Sequence, residues 1–284
     1  MVSVNGEIFR QRRKELHLSQ MQLADGIASQ GTISSLECFG ALPCMRILEE
    51  IMNRLHLSLE DVMSINPASS VLNNLQKELD NEHYRRVFDG LENVNKNDIV
   101  FPKDKQRLLY LRASAYFHSG RIEDASFWCD QLMQIPDKDK DPLYHALVHT
   151  IKAQVWQQKN DLYKASVCFQ NVEEFLLSHN DKNNDLPSNA IHGYVRMYQA
   201  LAEHALMNQN PETAQKYLRR AFKILKAENS SWHLGELLII DAEIAGERML
   251  DKEKTTSIMA AQRLYEIMPS PKLGRMLQNV SSKS

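Results

Sequence analysis

The chain has 284 residues, 43% of them hydrophobic and 25% charged, with a formal net charge of -2. This is the balance of a globular protein of about two domains. It excludes a global basic field, so any contact with nucleic acid has to come from a local patch. No run approaches the ~18 apolar residues of a membrane span, and the polar opening Met1–Glu7 is no signal peptide, so a cytoplasmic protein is expected. Cys38, Cys44, Cys129 and Cys168 form no C-x-x-C pair, which argues for free thiols over a zinc site or disulfide framework. With only 10 Gly and 9 Pro, the chain is expected to be all-α.

Helical patterns follow one another closely from the start. Residues 5–16 carry Ile8, Arg12 and Leu16 at helical spacing, with Arg10, Arg12, Arg13 and Lys14 clustered. Ser19 is a cap for a helix over Gln20–Ala28, and Ser29 for another from Gln30 to about Phe39. Pro43 opens a segment with Ile47, Ile51 and Leu55 on one face, and Ser58 caps a fifth short helix. Leu23, Ala24 and Ile27 on one helix face Ile33 and Leu36 on the next, the pattern of a helix-turn-helix. Residues 1–65 hold six positive and eight negative side chains. Four of the six positives sit in the first helix, whereas six of the eight negatives lie at or after Asp25. That asymmetry leaves one face for phosphate.

Arg12-Arg13-Lys14, Leu18-Ser19-Gln20, Leu23-Ala24, Ser29-Gln30-Gly31-Thr32-Ile33-Ser34, Glu37 and Pro43 together resemble the five-helix repressor domain of the XRE/Cro class. The resemblance implies binding to double-stranded operator DNA, with Gln20 on phosphate near the start of the second helix. It also implies that Gln30, Gly31, Thr32 and Ser35 face bases or phosphates. Arg12, Arg13, Ser29 and Ser34 complete the candidate surface. A Gln amide can pair bidentately with adenine, while Ser and Thr are less selective. Two positions depart from the family pattern. Gly31 offers no side chain, and Phe39 stands where a glycine commonly ends the helix, with Gly40 one place later.

Asn66-Pro67-Ala-Ser-Ser70 reads as a polar linker over 66–70. Beyond it, three turns each end in an alanine, at Ala125, Ala165 and Ala214, and each alanine has another twelve residues earlier, at Ala113, Ala153 and Ala202. Ala245 and Ser257 repeat this weakly. Small residues at that interval let the two helices of a hairpin approach closely. Tyr116, Trp156, Phe169, Tyr217 and Ala221 fall at the core positions around them. The pattern resembles tetratricopeptide repeats, with 40 and 49 residues between units in place of 34. Helix pairs are expected near 71–94, 104–135, 141–177, 187–228 and 230–267, with a capping helix over 272–280. Stacked pairs make a curved solenoid whose first helices line the inside. The inward candidates are Arg107, Tyr110, Ser114, Thr150, Gln154, Gln157, Arg196, Gln199 and Glu203.

His145 and His149 share a helical face, but no third ligand is in view and packing histidines are expected. Met249, Met259, Met268 and Met276 read as core. There is no Gly-rich phosphate loop, nucleophile elbow or catalytic triad, so neither enzyme activity nor a cofactor or metal is expected.

A helix-turn-helix domain over 1–65 and a right-handed α-solenoid of about five tetratricopeptide-like pairs plus a capping helix over 71–284 resemble the PlcR/Rgg group of Gram-positive bacteria. The resemblance implies a cytoplasmic quorum-sensing transcription regulator. A homodimer would bind a two-fold-related operator under the control of a short signalling peptide held in the solenoid. The alternative is a repeat protein that modulates a response regulator or another protein partner.

Overall fold

Side-chain caps start the second and third helices. A computed structural model of the chain describes residues 6–41, 43–57, 67–94, 99, 102–136, 139–180 and 190–282. It divides into two compact units, Met1–Val71 and Leu72–Ser284.

In the first unit, α1 runs Gly6–Glu15, α2 Gln20–Ala24, α3 Gln30–Phe39 and α4 Met45–Leu55. Ser19 starts α2 with a capping box: its side chain accepts from Gln22 N–H, and the Gln22 side chain accepts from Ser19 N–H at 2.7 Å. Ser29 starts α3 by accepting from Thr32 N–H at 3.1 Å. Gly40, at φ 62°, ends α3 in the left-handed conformation and donates its N–H to Leu36 O at 3.0 Å. The glycine displaced by one place thus still ends the helix. α2 stops four residues short of the expected Ala28, because Asp25 leaves helical geometry (ψ 123°) and Gly26 follows at φ 70°. The expected fifth helix, from Ser58, lies outside the described residues.

Phe9, Leu23, Ile33, Leu36, Ile51 and Leu55 are fully buried in one cluster. α1 meets α3 very closely at Gly6. A Cβ there would lie 2.1 Å from Leu36 O and 2.7 Å from Glu37 O. Backbone cannot yield as a flexible side chain can, so Gly6→Ala is expected to destabilise this unit by about 1–3 kcal/mol. Chemical denaturation measures it, and an unchanged midpoint would show that the helices are not held at this separation.

Residues 67–70, expected as a linker, are instead the first turn of α5 (Pro67–Asp80). Proline suits the first helical turn, where its missing N–H is no loss, and the following Ala-Ser-Ser tolerates helix. The second unit continues with α6 Tyr84–Glu92, α7 Pro102–His118, α8 Ile122–Met133, α9 Pro142–Gln158, α10 Leu162–Asn180, α11 Ile191–Met207, α12 Pro211–Ala227, α13 Leu234–Glu247, α14 Asp251–Ile267 and α15 Pro271–Ser282. α7 packs on α8, α9 on α10, α11 on α12 and α13 on α14. α15 packs on both α13 and α14. All described elements are helical, and none is long and apolar enough to cross a membrane.

The pairs are closed by one recurrent turn. Glu82, Gly120, Asn160, Gln209 and Met249 are all left-handed, with φ of 59°, 77°, 59°, 55° and 56°. Each donates its N–H three residues back, and the next residue donates five back, as in Gly120 to Phe117 O and Arg121 to Tyr116 O. The spaced small residues are buried as their spacing requires: Ala113, Ala125, Ala153, Ala165, Ala202 and Ala214 are all 0% exposed. Phe169 and Ala221 are buried too, and Tyr116, Trp156 and Tyr217 pack against the same core. His145 is buried and His149 half-buried, and burial pushes the His149 imidazole down to about 4, as for packing histidines. Met249, Met259 and Met268, expected in the core, are 88%, 58% and 51% exposed. Met249 and Met268 stand just past helix ends, where the chain turns away from the packed stripe. Only Met276 joins the core.

Candidate functional site

The first unit presents the N-terminal end of α3. Ser29, Gln30 and Gly31 are exposed, and Thr32, Ser34 and Ser35 half-exposed. The Ser29 and Thr32 hydroxyls lie 2.9 Å apart and bond each other. A Cβ at Gly31 would meet only Ser29 Oγ, at 3.7 Å, so the surface here is open and a neighbouring backbone could come close.

Behind this edge runs a chain of polar bonds. Gln30 Nε2 donates to Gln20 Oε1 at 2.6 Å, and Gln20 Nε2 donates to Glu37 Oε2 at 2.9 Å. Arg13 grips the same carboxylate with Nε to Oε1 at 2.6 Å and Nη2 to Oε2 at 2.9 Å, and also donates to Leu18 O at 2.7 Å. Burial raises the Glu37 pKa, but the bonds from Arg13 and Gln20 outweigh it and hold the carboxyl below the usual glutamate range.

Arg13 is therefore not the phosphate contact expected from its place in a basic cluster. It is 9% exposed and held by three hydrogen bonds to Glu37 and Leu18. Arg12 is also engaged, with Nε donating to Leu55 O at 3.1 Å and Nη1 to Glu15 at 2.9 Å. The basic side chains left exposed on α1 are Arg10 and Lys14, and only the former has an ion-pair contact among the described residues, to Glu7 at 3.8 Å. The signal for this exchange was Glu37 itself, the one acid facing the cluster from the next helix pair.

In the second unit, the first helices also touch one another, α7 with α9, α9 with α11 and α11 with α13. This layer frames a shallow recess of about 420 Å³, part of it open to solvent. It brings together Tyr110 and Ser114 of α7, Thr150 and Gln154 of α9, and Arg196 and Gln199 of α11. Six of the nine inward candidates thus converge.

The other three lie elsewhere. Arg107 is buried and donates to Asn73 Oδ1 at 2.7 Å. Gln157 bonds His204 Nδ1 at 3.1 Å. Glu203 lies outside the lining and accepts from Gln199 Nε2 at 2.9 Å. Helical spacing, carried one turn further, finds His118, Leu147, Ile151 and Ala200 of the same lining. His233 and Lys272 come from the entry to α13 and from α15, and no local pattern marks them.

Arg196 is the centre of the recess wall. Its Nη2 donates to Asp80 Oδ1 at 3.1 Å and its Nη1 to His118 Nε2 at 3.0 Å, and its guanidinium carbon lies 5.1 Å from the centre of the Trp232 ring. Asp80 Oδ2 is held by His192 Nδ1 at 2.7 Å, and Asp80 O accepts from Trp232 Nε1 at 3.1 Å. Trp232 stacks between His192 and His233, at 4.1 and 3.8 Å between ring centres. Burial, then the charges of Arg196 and Lys272, push the His118 pKa well down. The neutral ring can therefore accept from Arg196. Burial, then Lys272 and Arg196, do the same to His233, whose Nδ1 lies 3.1 Å from Gln199 Oε1. Ligand-capable atoms of Glu82, His233 and Glu236 lie within 4.8 Å of one another. Glu236 is meanwhile bonded by the Ser270 hydroxyl at 3.2 Å.

No protein-family profile and no curated protein matches the sequence. Solved structures do match in fold. PlcR of Bacillus thuringiensis, in complex with the peptide PapR7 and DNA, superposes with a TM-score of 0.62 at 17% identity, over 98% of this chain and 97% of that one. Its apo form gives 0.62 at 15% identity, over 98% and 99%. ComR of S. thermophilus, in complex with DNA and its signalling peptide ComS, gives 0.57 at 14%, over 96% and 97%. The chain therefore has the all-helical fold of PlcR and ComR along nearly its whole length.

Proposed function

We propose that the chain is a peptide-controlled transcription regulator. As a cytoplasmic homodimer it reads two-fold-related operator DNA with the exposed start of α3. A short signalling peptide binding across the layer of first helices sets its affinity for that DNA. The observation that carries this reading is the pairing, in one chain, of an exposed polar helix-turn-helix edge with a donor-rich recess. The fold likeness to proteins solved with both DNA and a peptide supports it.

Physically, the two sites are coupled if the peptide prefers one arrangement of the first-helix layer over another. Spacing between two recognition helices must match the duplex, about 34–36 Å for one turn, so a small shift changes affinity strongly. The test is to sequence the DNA selected by the purified full chain, with and without culture-derived peptides. A two-fold-related sequence should be enriched, and its enrichment should change with peptide. No enrichment over random DNA in either condition would overturn the proposal, and capture of a response regulator in place of DNA would favour the protein-partner alternative.

A further inference from the structure

Two segments far apart in the chain bring three metal-capable side chains together. Glu82 stands in the turn between α5 and α6, and His233 and Glu236 open α13. One ligand-capable atom from each lies within 4.8 Å of the other two. The same two segments are already joined beside this point, where Trp232 Nε1 donates to Asp80 O at 3.1 Å. Glu236 is 4% exposed, and among the described residues its carboxylate has one partner, the Ser270 hydroxyl on Oε1 at 3.2 Å. The Glu82 carboxylate has no hydrogen-bond or ion-pair partner among those residues. Two carboxylates held this close repel each other, and burying one without a cation is costly.

The imidazole is set for the same role. Gln199 Nε2 donates to Glu203 Oε1 at 2.9 Å, which turns Gln199 Oε1 towards His233 Nδ1 at 3.1 Å. Nδ1 therefore carries the ring proton, and Nε2 keeps a lone pair for a ligand bond. A ring fixed through its other nitrogen and a carboxylate fixed by a hydroxyl are the outer contacts that orient metal ligands.

We propose that Glu82, His233 and Glu236 bind a divalent transition-metal ion of the Zn²⁺ class, which ties the α5–α6 turn to the start of α13. One imidazole and two carboxylates suit such an ion, whereas Ca²⁺ and Mg²⁺ favour sets made of oxygen alone. A tetrahedral ion bound at about 2.0–2.2 Å sets its donors about 3.3–3.6 Å apart. Glu82, half-buried on a flexible stem, closes the remaining distance by side-chain rotation. Three protein donors leave a fourth position to solvent. Arg196 and Lys272 line the recess beside His233 and oppose a cation, so both carboxylates are needed to hold it.

The test is calorimetric titration of the full, tag-free chain with ZnCl2 after a chelator has removed bound metal. Cys38 and Cys44 are exposed thiols, so every protein tested carries Cys38→Ser and Cys44→Ser. One equivalent of Zn²⁺ should bind and raise the melting temperature, since an ion held only by the folded chain stabilises it. Ca²⁺ and Mg²⁺ should bind about tenfold or more weakly. Glu82→Gln and Glu236→Gln should each weaken Zn²⁺ about tenfold or more and remove the melting shift. Gln keeps the size of Glu and still accepts from Ser270, so Glu236→Gln should fold. Glu82→Gln, at a half-buried turn position, gives an answer independent of that packing. No binding of Zn²⁺ overturns the proposal. Binding left unchanged by folded Glu82→Gln or Glu236→Gln also overturns it and marks an adventitious ion elsewhere. Equal affinity for Ca²⁺ overturns the transition-metal class.

Discussion

Glu37→Ala will destabilise the first unit by about 3–5 kcal/mol and leave the unfolding of the second unit in place. The substitution strands the Arg13 guanidinium, whose side chain is 11% exposed and which gives Glu37 two charge-assisted bonds. Breaking one side of a buried pair leaves an uncompensated charge, whereas replacing both with apolar side chains of similar volume need not cost much. Arg13→Met with Glu37→Leu should therefore recover a large part of the loss. Calorimetry on the full chain can follow the two units as separate transitions. An unmoved first transition in Glu37→Ala would sink the structural role assigned to the pair.

The pair also gives a pH signature with a definite sign. The folded Glu37 pKa is depressed below its ordinary value. Its contribution is fully present above the unfolded glutamate value of about 4.3, and is lost as pH falls through the lower folded one. The first unit should lose stability in that acid window, and Arg13→Met with Glu37→Leu should lose less.

The second large effect is on DNA selectivity. Gln30→Ala should remove about 1–3 kcal/mol of discrimination at one base pair, roughly 5–150-fold, while changing affinity for random DNA little. Gln20 uses one of the two Gln30 amide hydrogens. The carbonyl and the second hydrogen remain, and these suffice for a bidentate contact with adenine. The bond also fixes which way the amide faces. Gln20→Ala should then relax the same base preference, because Gln20 orients Gln30 and is itself anchored on Glu37. Competition binding against single-base operator variants measures both. Uniform weakening on every sequence by Gln30→Ala would remove it from the base-reading role.

Much of this fold is legible in the chain. Ser19 and Ser29 mark the starts of α2 and α3 because a cap is a local event, settled within three residues. The paired alanines mark the hairpins because two helices can only close tightly where side chains are small, and the interval of twelve repeats that demand. The layer facing the recess follows from the same count, which is why Tyr110, Ser114, Thr150, Gln154, Arg196 and Gln199 meet.

What the sequence by itself determined is the all-helical class, the capped starts of α2 and α3, the hairpins marked by paired alanines and the exposed polar edge of α3, since each depends on contacts close along the chain. Only the tertiary structure decided what the charged side chains do. Arg13 read as a phosphate contact within a basic cluster, and it became half of a buried pair because Glu37, 24 residues on, is packed against it. Arg196 read as one inward residue among nine, and it became the centre of the recess because Asp80, His118 and Trp232 reach it from three other segments. His233 and Lys272 had no local mark at all. A charge is assigned its role by the nearest opposite charge or dipole and by how far water is excluded, and neither is a property of spacing along the chain.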